Sequence, residues 1–262
     1  MKFRLPQMYF SKIMRAIVEF EMIARDDKIL IGLSGGKDSL LLTYALAVMR
    51  ERTKNKFSLR ALTIDPMFDN AFDTESLVRF CSELEIPHEV HHVNIAEVIR
   101  SEPKNAPCFT CAFFRRGAIN RYANEYGCNK VAYAHHNDDA VETLLLNLLY
   151  SGQIGTFQPK TYLDRTNLTV IRPLVYLREQ EIVKAIQYHG ITPVKSPCPF
   201  DGNTKRETVK KLVADLTEKT PLMYDHLAAA MRKNSDNELC HLWPTAKNRQ
   251  EMRDSYNQFM RE

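Results

Sequence analysis

Apolar residues fall in short runs and then at helical spacing, and the two patterns alternate through the first 150 positions. Lys28-Ile29-Leu30-Ile31-Gly32-Leu33 has the length of a buried strand, and Asp38 to Arg50 carries apolar residues at 40, 41, 44, 45 and 48, one face of a helix. Ser58 to Ile64 predicts a second strand, Thr74 to Leu84 a helix, and His88 to Val93 a short third strand. After a loop around Pro103 to Pro107, a helix is expected through Phe113 to Tyr126 and a fourth strand over Lys130 to Ala134. Asp138 to Tyr150 is helical again, with apolar residues at 141, 144, 145, 148 and 149. Such alternation implies βαβ units: an α/β fold with a doubly wound, mainly parallel five-stranded sheet, where ligands bind outside the strands' carboxyl ends.

From Ser151 to Leu168 the pattern lapses into Gly, Gln, Thr and Pro, which predicts a mobile loop beside the site. Pro173 precedes an expected helix from about Arg178 to His189. Thr192 to Pro199 is irregular, with three prolines around Cys198, and helical stretches from about Asn203 finish the chain. The expected organisation is a basic N-terminal helix over 1–25, a main domain over 26–200 and a helical C-terminal extension over 201–262. No repeat, low-complexity tract or dividing linker is visible.

Composition narrows the class. At 262 residues, with 44% hydrophobic, 10% aromatic and 26% charged positions, the chain can bury a sizeable core, and disordered or fibrous classes are excluded. The longest apolar run, Leu40 to Met49, falls short of the ~18 residues of a membrane span, and the start Met1 to Gln7 lacks the apolar segment of a secretory signal. A cytoplasmic protein without a membrane partner is expected. Net charge is +4, but residues 1–60 hold 12 Lys and Arg against 6 Asp and Glu, leaving −2 for the rest. A basic start with Lys2, Arg4, Lys12 and Arg15 suits an RNA backbone or a subunit interface, and equally an ordinary solvated helix face.

Only nine glycines occur, and three of them, Gly32, Gly35 and Gly36, lie within five residues. Leu33-Ser34-Gly35-Gly36-Lys37-Asp38-Ser39 joins a predicted strand to a predicted helix, where free N–H groups and the Ser34 and Ser39 hydroxyls face an anion. It is a phosphate cradle but not a Walker A loop, because Ile31 and Asp38 occupy the places of its first Gly and its Ser/Thr. Asp38 would repel a bare phosphate, which suggests an intervening Mg²⁺. A Gly-Gly turn with Asp38 as a helix cap is the competing reading.

Cys108-Phe109-Thr110-Cys111 has the two-residue gap that lets both thiolates reach one metal centre, and Cys198 could lend a third sulfur. Core cysteines or a redox pair compete with that view. Three cysteines would leave one iron of an iron–sulfur cluster open, whereas zinc usually wants four protein ligands. Cys81, Cys128 and Cys240 have no partner at ligand spacing and read as buried hydrophobes. In Ala134-His135-His136-Asn137-Asp138-Asp139, the paired carboxylates fit helix caps, Mg²⁺ binding or proton handling. Arg115-Arg116, one turn after Cys111, would neutralise phosphate or polarise a leaving group, or simply line a solvated face.

Ser34-Gly35-Gly36-Lys37-Asp38-Ser39 resembles the pyrophosphate loop of the N-type ATP pyrophosphatases, which split ATP to AMP and pyrophosphate while activating a carbonyl oxygen as its adenylate. That resemblance implies a sheet like that of the adenine nucleotide alpha hydrolases. It also implies an ATP site at Leu33 to Ser39 with Asp65, closing the second strand, near the adenosine. An Asx turn before Pro66 is the alternative for Asp65. The order of the loop, Cys108-x-x-Cys111 with Arg115-Arg116-Gly117, His135 to Asp139 through Glu142 and Asn147, Ile171-Arg172-Pro173-Leu174 and Ser196-Pro197-Cys198 is similar to the tRNA 2-thiocytidine synthetase family over roughly residues 10–215. The family's further cysteine, three positions after the distal one, is Asp201 here.

By that resemblance Cys108, Cys111 and Cys198 hold a 4Fe-4S cluster that supplies sulfide. ATP with Mg²⁺ adenylates the cytidine C2 oxygen of tRNA, His135 contacts the nucleotide, and Asp38, Arg115, Asp138 and Asp139 are catalytic. A cysteine desulfurase or free sulfide donates the sulfur, and a homodimer is admitted. The same chemistry on a free nucleobase, an ATP-dependent amidation or lysidine synthesis without a cluster, and a non-catalytic nucleotide sensor are the rivals.

Overall fold

Ile29, Leu30 and Ile31 are enclosed on both faces, as a central strand of a parallel sheet requires, and they make up the middle of β1 (Lys28–Gly32) in the computed structural model, which describes residues 4–53, 56–101, 107–200, 205–232 and 242–261. β1 pairs in parallel with β2 (Ser58–Asp65) and β4 (Lys130–Ala132), and these pair in turn with β3 (His88–His92) and β6 (Leu168–Ile171). β5 (Lys160–Leu163) runs antiparallel on the outer edge of β6, giving the order β3-β2-β1-β4-β6-β5.

The sheet therefore has six strands among the described residues where five were expected, and the stretch expected as a loop over 151–168 contains β5. Its side chains are all exposed or half-buried, so this edge strand carries no apolar run to betray it. The Tyr162 hydroxyl donates to Asn167 Oδ1 at 3.0 Å and closes the hairpin.

Helices cover the sheet: α1 (Gln7–Glu19), α2 (Lys37–Arg52), α3 (Thr74–Glu83), α4 (Ile95–Ser101), α5 (Pro107–Glu125), α6 (Asn137–Ser151), α7 (Glu179–Tyr188), α8 (Lys205–Lys219), α9 (Met223–Ala230) and α10 (Arg249–Arg261). α4 had no counterpart in the sequence reading. α5 starts six residues before the expected Phe113, because Pro107 suits a first helical turn, so Cys108 and Cys111 sit on a helix rather than in a loop.

Alternation along β1 divides the core. Ile29 and Ile31 join the larger apolar cluster with α1, α2 and α7, while Leu30 points to the other face with Ile119 and Ala123 of α5. The larger cluster also holds Ile13, Tyr224 and Trp243, so residues from the 1–25 and 201–262 stretches share one core with the central sheet. Of the basic N-terminal side chains, Lys12 pairs with Glu181 at 2.8 Å and Arg15 with Glu19 at 3.2 Å. Lys2, positions 103–106, Asp201, Asn203 and Cys240 lie outside the described residues.

Candidate active site

The parallel strands deliver their carboxyl ends to one edge, and the phosphate loop lies there between β1 and α2. Gly35 has φ +83°, a left-handed conformation open to glycine, and a Cβ on it would come within 3.2 Å of Val194 Cβ. The Val194 N–H donates to Gly35 O at 2.9 Å, so the segment leading to Cys198 is laced to the loop. Leu33 is buried and its N–H donates to Leu62 O. Ser39 Oγ donates to Gly36 O at 2.9 Å and accepts from the Ser34 N–H at 3.2 Å, which curls the loop around the start of α2.

Lys37 bridges Asp38 at 3.2 Å and Glu179 at 3.0 Å. Burial works against its charge, but the two carboxylates hold its ammonium above the ordinary range. Asp38 Oδ1 is buried without a hydrogen-bond partner, 3.7 Å from His136 Nε2. His136 is itself buried, 3.4 Å from Asp139 and 3.6 Å from Asp138. Burial disfavours its imidazolium, yet Asp138, Asp139 and Asp38 together raise its pKa.

Each of the two predicted carboxylates at the start of α6 has its own holder. Asp138 accepts from Arg178 Nε at 3.1 Å and from the Glu179 N–H at 2.8 Å. Asp139 accepts from the His136 N–H at 3.0 Å, a helix cap, and pairs with Arg206 at 3.1 Å. Glu142, one turn on, is buried beside Arg206, and burial pushes its pKa up to about 7. Arg178 and Arg206 were not singled out as site residues; they arrive from helix starts far along the chain, whereas His136, quoted in the segment from His135 to Asp139 but given no role, caps α6 itself.

His135 faces a different neighbourhood. Arg172 Nε donates to its Nδ1 at 3.3 Å, its ring lies 5.0 Å from Phe157, and burial pushes its pKa down to about 4 despite Asp139, so it is neutral at pH 7. Asp65 caps the turn after β2 by accepting from the Met67 N–H at 2.9 Å, and its other oxygen meets His92 at 3.0 Å. Asp65 thus makes the Asx turn and ends β2 at the sheet's carboxyl edge.

Cys108 and Cys111 lie at the start of α5 and Cys198 on the tethered segment after α7, where Asn70 donates to Pro197 O at 3.1 Å. Burial pushes the Cys111 thiol up, Arg115 draws it down, and Cys198 and Cys108 raise it again, so Cys108, Cys198 and Arg115 lie within electrostatic reach of Cys111. Arg115 Nε is buried and has no hydrogen-bond partner. Among the described residues no three His, Cys, Asp or Glu side chains close to the spacing of a single bound metal ion. Cys81 and Cys128 are buried, and burial pushes the Cys81 thiol up to about 12, as for inert core cysteines.

A strand–phosphate loop–helix unit with acidic helix starts on one flank and three cysteines on the other matches the family model of the PP-loop domain over residues 8–217. The chain belongs to the PP-loop family, alongside the tRNA-cytidine(32) 2-sulfurtransferases. The relative so named from Syntrophotalea carbinolica is 34% identical over 221 residues, 83% of this chain and 85% of its own. That of Pelobacter propionicus is 35% identical over 227 residues, 85% and 82% of the two chains. Among solved structures, the PP-loop chain superposes with TM-score 0.67 on a U34-tRNA thiolase from Methanococcus maripaludis described with its 4Fe-4S cluster, at 23% identity over 90% of this chain and 83% of that one. An NH3-dependent NAD synthetase from Campylobacter jejuni shares the fold at TM-score 0.50 and 17% identity over 98% and 93%. No described helix is long and apolar enough to cross a membrane.

Proposed function

We propose that this PP-loop protein is an ATP-dependent tRNA-cytidine 2-sulfurtransferase. The observation that carries the reading is the lacing of the Cys198 segment to the phosphate loop through Val194 and Gly35, with Cys111 in the field of Cys198 and Cys108. It joins a site for splitting ATP to a site for handling sulfur.

In this reading Ser34 to Ser39 and the N-terminus of α2 cradle the phosphates of ATP. Asp38 Oδ1, a buried hard oxygen without a partner, suits Mg²⁺, an ion that takes one or two carboxylates and fills its remaining places with phosphate oxygens and water. The cytidine C2 oxygen attacks the α-phosphorus and pyrophosphate leaves, so that oxygen becomes a leaving group. Lys37, between Asp38 and Glu179, offsets charge on the departing pyrophosphate. Sulfide then bonds to C2 as the C–O bond breaks, and AMP departs with the former carbonyl oxygen, leaving a C=S group. Arg115, whose charge is felt at Cys111, stabilises anionic charge there, while His136, Asp138 and Asp139 hold protons and orientation around Asp38.

The donor set fits an iron–sulfur group: three soft thiols from two segments, with a cationic Arg115 to favour thiolates. A four-iron cluster spans more space than a single ion, so its ligands need not converge as those of zinc do. Cys108, Cys111 and Cys198 would hold it, and when bound it supplies a sheltered site for sulfide. Sulfide or a cysteine desulfurase is the source of the sulfur, and the enzyme works as a monomer or homodimer on tRNA in the cytoplasm.

The test is nucleoside mass spectrometry of tRNA incubated with anaerobically prepared, iron-loaded protein, Mg²⁺, ATP and sulfide. ATP-dependent 2-thiocytidine with one pyrophosphate released per thiolation supports the reading. Pyrophosphate release without a thiolated base would overturn it in favour of an amidating or other adenylating enzyme.

A further inference from the structure

Phe109, Phe113 and Arg116 stand four and three residues apart on α5, which sets them on one helix face. Phe109 is 66% exposed and Phe113 is 60% exposed, and Phe114, edge-on to Phe113 with ring centroids 5.6 Å apart, adds a third open ring at 36%. Burying Ile119 and Ala118 of the same helix already satisfies its core side. The open face therefore carries aromatic rings, the small side chain of Ala112 and a cation. Its place is next to Cys108 and Cys111, and the Arg116 charge is felt at Tyr133 and Arg172 on the edge of the phosphate-loop site.

We propose that Phe109 and Phe113, with Arg116, form a stacking platform for the unpaired bases flanking the target base in a single-stranded RNA loop. Every base presents a π-face, so rings read no sequence but grip splayed-out nucleotides, and Arg116 pairs with a backbone phosphate. The platform rests on the sulfurtransferase reading and deepens it. Any base brought to the three thiols must leave its stack, and its neighbours then need a replacement for the stacking they lose. The positive charge suits a polyanion: Arg115 and Arg116 have no acidic partner on α5, whereas Arg121 pairs with Glu125 at 3.6 Å.

The experiment uses the full, iron-loaded chain and three fluorescent probes: tRNA, a stem-loop with an unpaired loop, and a fully paired duplex of the same length. Phe109→Ala with Phe113→Ala should weaken stem-loop and tRNA binding roughly tenfold or more, as loss of base–aromatic stacking does, and leave duplex binding alone. The loss should fall on KM for tRNA rather than on kcat, with iron content unchanged. The salt slope of binding should stay as in the parent chain, since stacking releases no counterions, while Arg116→Gln should reduce it by about one phosphate contact. Phe113→Trp should retain the affinity. Unchanged loop affinity in the double variant, or an equal loss on loop and duplex, would overturn the platform. So would a parent dimer that the double variant splits, since the face would then be a self-interface. A parent chain that makes no thiocytidine yet binds loops through these rings would instead count against the sulfurtransferase reading alone.

Discussion

On one flank of the phosphate loop, Asp38, Asp138, Asp139 and Glu179 meet Lys37, His136, Arg178, Arg206 and Lys210 at 2.7–3.7 Å. On the other, Arg115 is the cation felt at Cys111, and the Phe109 and Phe113 rings beside the thiols face solvent. The charged flank is set in place before any ligand binds, which suits a small, highly charged substrate whose transition state gains from fixed dipoles and charges. The thiol flank is open, which suits a large partner that must bring its own base. Among the described residues the two flanks thus differ in cross-bonding, which is dense on the acidic side of the phosphate loop.

Several substitutions break or sharpen that contrast, and the largest effect belongs to the thiol flank. Cys198→Ala should abolish thiolation, beyond the ~100-fold that losing a residue which only orients a ligand costs, with a parallel fall in iron content by colorimetric assay. On the charged flank, Asp38→Asn should lower kcat for pyrophosphate release about 10²–10³-fold while iron content stays at the parent level. That split, iron lost in one variant and kept in the other, would fail if the two flanks were one cooperative unit.

Gly35→Ala strikes the seam between the flanks. It forces a left-handed φ on a residue with a Cβ and presses it on Val194, at a cost of about 1–3 kcal/mol in urea unfolding, with iron uptake weakened as well. Glu142 gives the smallest and most specific effect. Its pKa is raised by burial from 4.5 to about 7, so the folded state holds a proton that the unfolded state has released between those values. Stability from this group is therefore present in acid and lost as pH rises from 4.5 through 7, on the order of 1–3 kcal/mol. Glu142→Gln should flatten that part of the stability–pH curve, measured as urea midpoints at pH 5 and pH 8.

Residues 28–39 made the charged flank partly legible in the sequence, since an apolar run, three glycines and paired serines leave few alternatives to a strand, an anion loop and a helix. The CxxC spacing was equally plain, yet its setting was not: Pro107 starts α5 earlier than the apolar period does, so the cysteines ride on a helix. β5 was invisible because an edge strand with half-exposed side chains has no apolar signature. The partners of Asp138 and Asp139 were hidden for a topological reason. Arg178 and Arg206 lie 40 and 67 residues further on and reach α6 only because α7 and α8 return to the same edge of the sheet. Similarly, His135 and His136 are adjacent in sequence and indistinguishable there, while in the fold His136 enters the acidic cluster and His135 turns to Arg172.

In the proposed reaction one chain couples ATP cleavage on the charged flank to sulfur insertion on the thiol flank. The most direct test is single-turnover thiolation of unmodified tRNA by the iron-loaded chain with Mg²⁺, ATP and sulfide, following 2-thiocytidine, AMP and pyrophosphate together. Equal amounts of all three are expected, with thiocytidine absent when either ATP or Cys198 is removed. Thiocytidine formed at the parent rate by Cys198→Ala, or AMP and pyrophosphate formed with no thiolated base, would contradict it.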